Sequence, residues 1–189
     1  MPTSHLRLLL ASAAAVVTAC DLPGDVPSNN IPDGFAVQVQ NASYPEIHNR
    51  MMNLWESGGG DQHLFLSPAG NATSALTLVG GIITLNEPLL IRAVINGEYE
   101  PADNTTKMFM TERGDPRAIY DVAYGCNPDT DAVQSELAFR ARDVLEGGHI
   151  CVRPTSGDRH EFRYSPPGNT AWTPDRPCIQ VTLALVPAS

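Results

Sequence analysis

Phe35-Ala36-Val37-Gln38-Val39-Gln40 carries an apolar side chain at every second position. An extended chain turns successive side chains to opposite faces, so Phe35, Val37 and Val39 share one face and Gln38 and Gln40 the other. That is the pattern of a half-buried strand. Working outward, segments of the same kind recur at residues 63–67, 75–79, 82–85, 89–96, 107–111, 118–124, 149–153, 161–165 and 179–186. Gly80-Gly81 between two apolar runs signals a tight hairpin. Many short strands punctuated by Gly, Pro and Asn must bury one face each and cover their edges, which predicts an all-β fold. The expected architecture is a single β-sandwich-like domain with short helical insertions, with a β-trefoil as the alternative.

Two segments break the alternation. Ile47, Met51, Leu54 and Trp55 fall at helical spacing and predict a short surface helix over residues 46–56. Over residues 130–148, Val133, Leu137, Ala141, Val144 and Leu145 suit a helix ended by Gly147-Gly148, whereas Leu137, Phe139 and Ala141 alternate with Glu136, Arg140 and Arg142. We take the strand reading for 136–142 and leave the flanks open.

Upstream of Phe35, residues 20–34 hold three Pro and two Gly with little to bury, and are expected to form an extended arm. Residues 1–19 pair His5 and Arg7 with an apolar run from Leu8 to Val17 and end on Val17-Thr18-Ala19, the form of a secretory signal peptide. The run is too short to span a bilayer. The domain proper is therefore expected at 35–189. Val17-Thr18-Ala19-Cys20 also satisfies a bacterial lipobox. Three sequons weigh for eukaryotic secretion instead, with Asn41, Asn71 and Asn104 as glycosylation acceptors. No membrane association is expected after signal removal. In an oxidising compartment Cys20, Cys126, Cys151 and Cys178 imply two disulfides in one of three connectivities. Their wide spacing lacks the close ligand pairs of a zinc site.

The strand vocabulary Phe35-Ala-Val-Gln-Val-Gln-Asn41, His63-Leu-Phe-Leu66, Leu76-Thr-Leu-Val-Gly-Gly-Ile-Ile83, Tyr124-Gly-Cys126 and Cys178-Ile-Gln-Val-Thr-Leu183 resembles small secreted β-rich proteins of filamentous fungi, of the cell-wall, cell-surface or antigenic type. The resemblance implies that Cys126 pairs with Cys178, leaving Cys20 to Cys151.

A net charge of −9 excludes a nucleic-acid partner, since phosphate binding needs a positive field. Lys107 is the only Lys, while Arg140, Arg142, Arg153, Arg159, Arg163 and Arg176 crowd the last third. Guanidinium forks match carboxylates, so cross-strand ion pairs are expected of them. Arg159-His160-Glu161 holds an acid, a base and a cation, but adjacent strand residues face apart, so His160 and Glu161 are not expected to converge. Asp129-Thr-Asp131 lacks the Gly and third acid of a calcium loop and reads as a solvated turn. Gly-x-Ser-x-Gly is absent, and Ser57-Gly58-Gly59-Gly60 reads as a flexible loop. We assign no catalytic residue, metal or cofactor. Trp55, Trp172, Tyr164 and Tyr99 lie in or beside Gly- and Pro-rich loops, where an aromatic face can stack on a sugar. Trp55, Trp172 and Tyr164 are the expected ligand contacts. The chain thus reads as a secreted extracellular or wall-associated protein without enzymatic activity, acting by surface interaction. Its partner would be a cell-wall polysaccharide or an extracellular protein. A carbohydrate-binding module and a small secreted hydrolase are the alternatives.

Overall fold

A computed structural model describes residues 20–58, 61–66 and 73–188. The expected signal segment 1–19, the Asn71 sequon and Gly59-Gly60 lie outside these residues. The fold is all-β. Sixteen strands form one antiparallel sheet, and the described residues contain no helix. In chain order they are β1 (Ile31–Gln40), β2 (Met52–Gly58), β3 (Asp61–Leu66), β4 (Leu76–Val79), β5 (Ile82–Leu85), β6 (Ile91–Val94), β7 (Tyr99–Glu100) and β8 (Thr105–Lys107). There follow β9 (Phe109–Thr111), β10 (Ala118–Cys126), β11 (Val133–Arg142), β12 (Leu145–Glu146), β13 (His149–Thr155), β14 (Arg159–Ser165), β15 (Ile179–Gln180) and β16 (Thr182–Pro187).

The main path runs β10-β11-β16-β1-β4-β5-β6-β9-β3-β14-β13-β15, with β12 on β11, β2 on β3, and β7 on β8 beside β14. It curls on itself. The Tyr120 amide donates to the Gly81 carbonyl at 2.8 Å, which brings β10 against the β4–β5 turn, and the β1 end holds the start of β2 through Val39 N to Arg50 O at 2.9 Å. Phe35, Val37 and Val39 enter one core with Met52, Leu64, Leu66, Leu76, Leu78 and Phe162. Gly80 and Gly81 form the expected two-residue turn, with Val79 opposite Ile82 and positive φ at both glycines, as a type I′ turn requires. A Cβ on Gly81 would run into the Tyr120 carbonyl, so the close approach also demands glycine.

Two expectations are corrected, and the open one over 130–148 is resolved. No helix forms at 46–56. Tyr44 O takes the amides of Ile47 and His48 in a single turn, Asn49 enters the left-handed region (φ 62°), and the chain continues as β2 paired to β3. Ladder bonds to β1 and β3 outcompete a helix of this length, whose nucleation is costly. Residues 133–142 settle as strand. Val144 and Leu145, which suited a helical stripe, are exposed, Val144 in the turn with Asp143 (φ 53°) and Leu145 at the start of β12. The disulfides join Cys20 to Cys126 and Cys151 to Cys178, so the pairing implied by the fungal resemblance is wrong. β15 pairs with β13 and sets Cys178 beside Cys151, at the opposite end of the sheet path from Cys126 on β10.

The arm is tied down instead of free. The Asn29 side chain donates to Asp121 at 2.7 Å and accepts the Val122 amide at 2.8 Å, while Cys20 anchors its far end to β10. It covers β10, where the sheet path ends, and an uncovered edge would offer its ladder groups to another chain. With Cys20 Sγ bonded to Cys126, no thiol is left for the lipid that a lipobox would attach.

Candidate functional site

Alternation on β14 splits its charges as expected. Glu161 and Arg163 turn inward on one face and His160 on the other. Cross-strand register sets Arg153 of β13 directly opposite Glu161. Glu161 receives Arg153 at 2.7 Å, Arg163 at 2.8 Å and Lys107 at 3.1 Å. Arg153 also reaches Asp103 at 3.2 Å and Glu100 at 3.3 Å, while Arg163 binds Thr105 Oγ1 at 2.6 Å and the carbonyls of Thr105 and Glu98. Both guanidinium side chains are essentially inaccessible, at 2% and 0%. Burial opposes ionisation of Glu161, but the Arg153 bonds and the charges of Lys107 and Arg163 outweigh it and hold the carboxyl below its ordinary value. Cations and anions answer one another within the cluster.

A cleft of about 310 Å³ adjoins this cluster and shares Asp103 and Thr105 with it. Asp103 links the two: Oδ2 takes Arg153, Oδ1 takes the Thr105 amide and hydroxyl, and its carbonyl accepts Asn169 Nδ2 at 2.9 Å. Asn169 also donates to Ser165 Oγ at 2.9 Å. One wall is therefore a set of fixed polar groups, and Tyr44 and His149 line the cleft as well.

The other wall is the Pro-rich loop 166–178, to which Asn169 itself belongs and whose rim carries Trp172. Cys178 is clamped to Cys151, and Arg176 reaches from the loop to the Pro154 carbonyl at 3.3 Å and toward Glu161 at 3.8 Å. Between the Asn169 bonds and these downstream ties Trp172 stands 57% exposed, with no ring or cation contact among the described residues. An aromatic face held on an anchored loop avoids much of the ordering cost of binding.

The other expected contacts stand elsewhere. Trp55 is exposed on β2, but the Arg159 guanidinium lies over its ring at 5.1 Å and is itself held by the Ser156 carbonyl. Tyr164 is largely buried (1% exposed), packed on Phe139 with its hydroxyl donating to the Gly147 carbonyl, and lines a separate depression beside Tyr99. Tyr99 is exposed and donates to Asn104 Oδ1 at 3.0 Å. The structure therefore brings only Trp172 of the three to the cleft. Sequence reading missed Tyr44, Asp103, His149, Ser165 and Asn169, and read Asn41 only as a glycosylation acceptor. Asn169 had a signal, since Pro166-Pro167-Gly168-Asn169 is turn-forming.

One acid–histidine pair has the parts of a catalytic dyad. His48 Nε2 faces both Asp129 oxygens at 3.1 Å, but Nδ1 accepts the Asn41 amide at 3.1 Å. The proton is thereby placed on Nε2 and both nitrogens are engaged, so the pair braces the 41–49 turn against the 127–131 turn. Asp129 is held below its ordinary value chiefly by the Asn49 and His48 bonds.

Buried histidines make stability pH-dependent. Burial first, then the Arg50 charge, pushes His160 below its ordinary 6.5, against the opposing fields of Asp158 and Glu46. His63 and His149 shift the same way, with burial the main cause. Below 6.5 the unfolded chain then binds protons the fold refuses. The stabilisation is complete above that value and drains as pH falls toward the folded pKa values. Glu161, also lowered, adds a second loss below its ordinary 4.5. The melting midpoint should fall between about pH 7 and pH 5, steepen below about pH 4.5, and fall less over the first interval in His160→Gln. A midpoint flat from neutrality to the carboxylate range would refute this.

The match to known families now decides membership. A model for DUF7909, a domain of unknown function, matches residues 21–188, nearly all of the described chain. The chain belongs to the DUF7909 family. No curated protein and no solved structure matches it. The DUF7909 match takes in the anchored arm from its second residue onward, together with every strand of the sheet. Two disulfides accord with an oxidising compartment, and no described helix is long and apolar enough to cross a membrane.

Proposed function

We propose that this DUF7909 protein is secreted, carries no enzymatic activity and acts extracellularly or at a cell wall by surface interaction, with the Trp172 cleft as its interaction face. The observation that carries the reading is Trp172 itself, an exposed indole beside a wall of fixed amide, hydroxyl and carboxylate groups. An aromatic face satisfies the apolar side of a sugar ring while nearby Asn and Ser groups reach its hydroxyls, so a saccharide is the ligand class this surface fits. The closed charge cluster supports binding over hydrolysis. Glu161, its central acid, is shared among three close cations and held ionised, whereas a general acid needs a raised pKa.

The test is binding of the secreted protein to a panel of soluble oligosaccharides and insoluble wall polysaccharides. Trp172→Ala should weaken binding by about tenfold or more, while Trp55→Ala, whose ring already lies under Arg159, should stay within about twofold. Equal affinity of wild type and Trp172→Ala, or no binding to any saccharide, would overturn the assignment and turn the search to protein partners.

A further inference from the structure

A second depression of about 420 Å³ adjoins the Trp172 cleft, and Asn41 and Gln180 line both. Its character differs. No aromatic lines it, and Gln40, Glu136 and Thr182 contribute to its surface. Their polar groups are fixed by one another. Gln40 and Gln134 exchange side-chain amide bonds at 2.6 and 3.1 Å, and Gln134 also donates to Glu136 at 2.8 Å. Preset donors and acceptors of this kind suit a second polyhydroxylated unit, as the indole suits the first.

The saddle between the depressions is one side-chain contact, Asn41 Nδ2 to the Gln180 carbonyl at 2.9 Å. Asn41 is also the acceptor of the sequon Asn41-Ala42-Ser43. It is half-buried, Ala42 and Ser43 beside it are exposed, and its Oδ1 accepts the Ser43 amide at 3.1 Å. The amide nitrogen has two hydrogens, so the Gln180 bond can survive replacement of the other.

Resting on the saccharide reading of the Trp172 cleft, we infer that the two depressions form one groove for a linear oligosaccharide and that an N-glycan on Asn41 closes it. The modification forms the Nδ2–C1 bond and breaks the C1–O bond of a lipid-diphosphate-linked oligosaccharide. The lipid diphosphate leaves and takes up the amide proton. A ligand confined to the Trp172 side is unaffected, whereas one long enough to cross the saddle meets the first sugar of the glycan.

The test uses the chain secreted from a eukaryotic host in three forms: wild type, Ser43→Thr, which keeps the sequon, and Ser43→Ala, which removes it without touching the Asn41 side chain. Occupancy is read by glycopeptide mass spectrometry. The probes are disaccharides and hexasaccharides of the panel polysaccharide that binds best. Wild type and Ser43→Thr should carry the glycan, and Ser43→Ala should bind the hexasaccharide about tenfold more tightly than either, with disaccharide affinity within about twofold across all three. An unoccupied Asn41 in both sequon-bearing forms, or equal hexasaccharide affinity with and without the glycan, would overturn the inference while leaving the Trp172 assignment intact. Loss of length dependence in Ser43→Ala would separate the depressions into two sites. Binding of neither probe by any form would overturn the saccharide reading and this inference with it.

Discussion

Glu161→Gln should lower folding stability by roughly 3 to 5 kcal/mol, seen as a reduced urea midpoint with little change in slope. The substitution keeps the shape of the side chain, so no cavity contributes. What it removes is the charge that holds Arg153, Arg163 and Lys107 together in a nearly dry interior. Arg153 would keep Asp103 and Glu100, but Arg163 would retain only the neutral acceptors Thr105 and Glu98 against a guanidinium with no exposure. An unpaired buried charge costs far more than the intact pair contributes. Pairing Glu161→Leu with Arg163→Met removes both charges and should recover part of the loss. A Gln variant within about 1 kcal/mol of wild type would mean that solvent reaches the cluster. The effect should extend to the cleft, because Asp103 is fixed by Arg153 on one side and forms the wall beneath Asn169 on the other.

The sheet was legible in the sequence because period-2 patterning and glycine punctuation are local signals. Phe35, Val37 and Val39, the Gly80-Gly81 turn and the β13–β14 segments all stand where alternation put them. The helix expected over 46–56 failed for a reason no local pattern contains. Tertiary pairing with β1 and β3 supplied hydrogen bonds that four apolar residues at helical spacing could not match. The cluster was half legible: alternation set Glu161 and His160 apart and the Arg excess called for ion pairs. Arg142 and Arg159 nevertheless took a carbonyl and aromatic rings instead of acids. Whether an arginine on a strand meets a carboxylate depends on cross-strand register, and Arg153 opposite Glu161 is a fact of pairing, not of spacing. Trp172 was visible as an aromatic in a Pro-rich loop. Asn169 shares its loop, but its neighbours Asn41 and Asp103 come from distant segments that only the folded sheet assembles.

Removing the Cys20–Cys126 bridge, as Cys20→Ala with Cys126→Ala, should cost about 5 kcal/mol, an effect carried mainly by the unfolded chain. The bridge closes a loop with a sequence separation of 106, against 27 for Cys151–Cys178. In the fold its loss is modest, since the arm beyond it stays pinned by Asn29 to Asp121, Val122 and Gly81. The unfolded chain gains much more, because a cross-link over most of the domain no longer restricts it. Two readings separate this from a simple loss of native contacts. The urea midpoint should drop while the slope rises, because an uncrosslinked chain exposes more surface on unfolding. Native-state hydrogen exchange should quicken at the arm and the adjoining edge of β10 but stay slow in the core strands β1 and β4. A midpoint that falls with no change in slope would place the stabilisation in the folded arm. The edge of β10 would then depend on the bridge itself for its cover, and the pinning at Asn29 would be too weak to hold the arm in place.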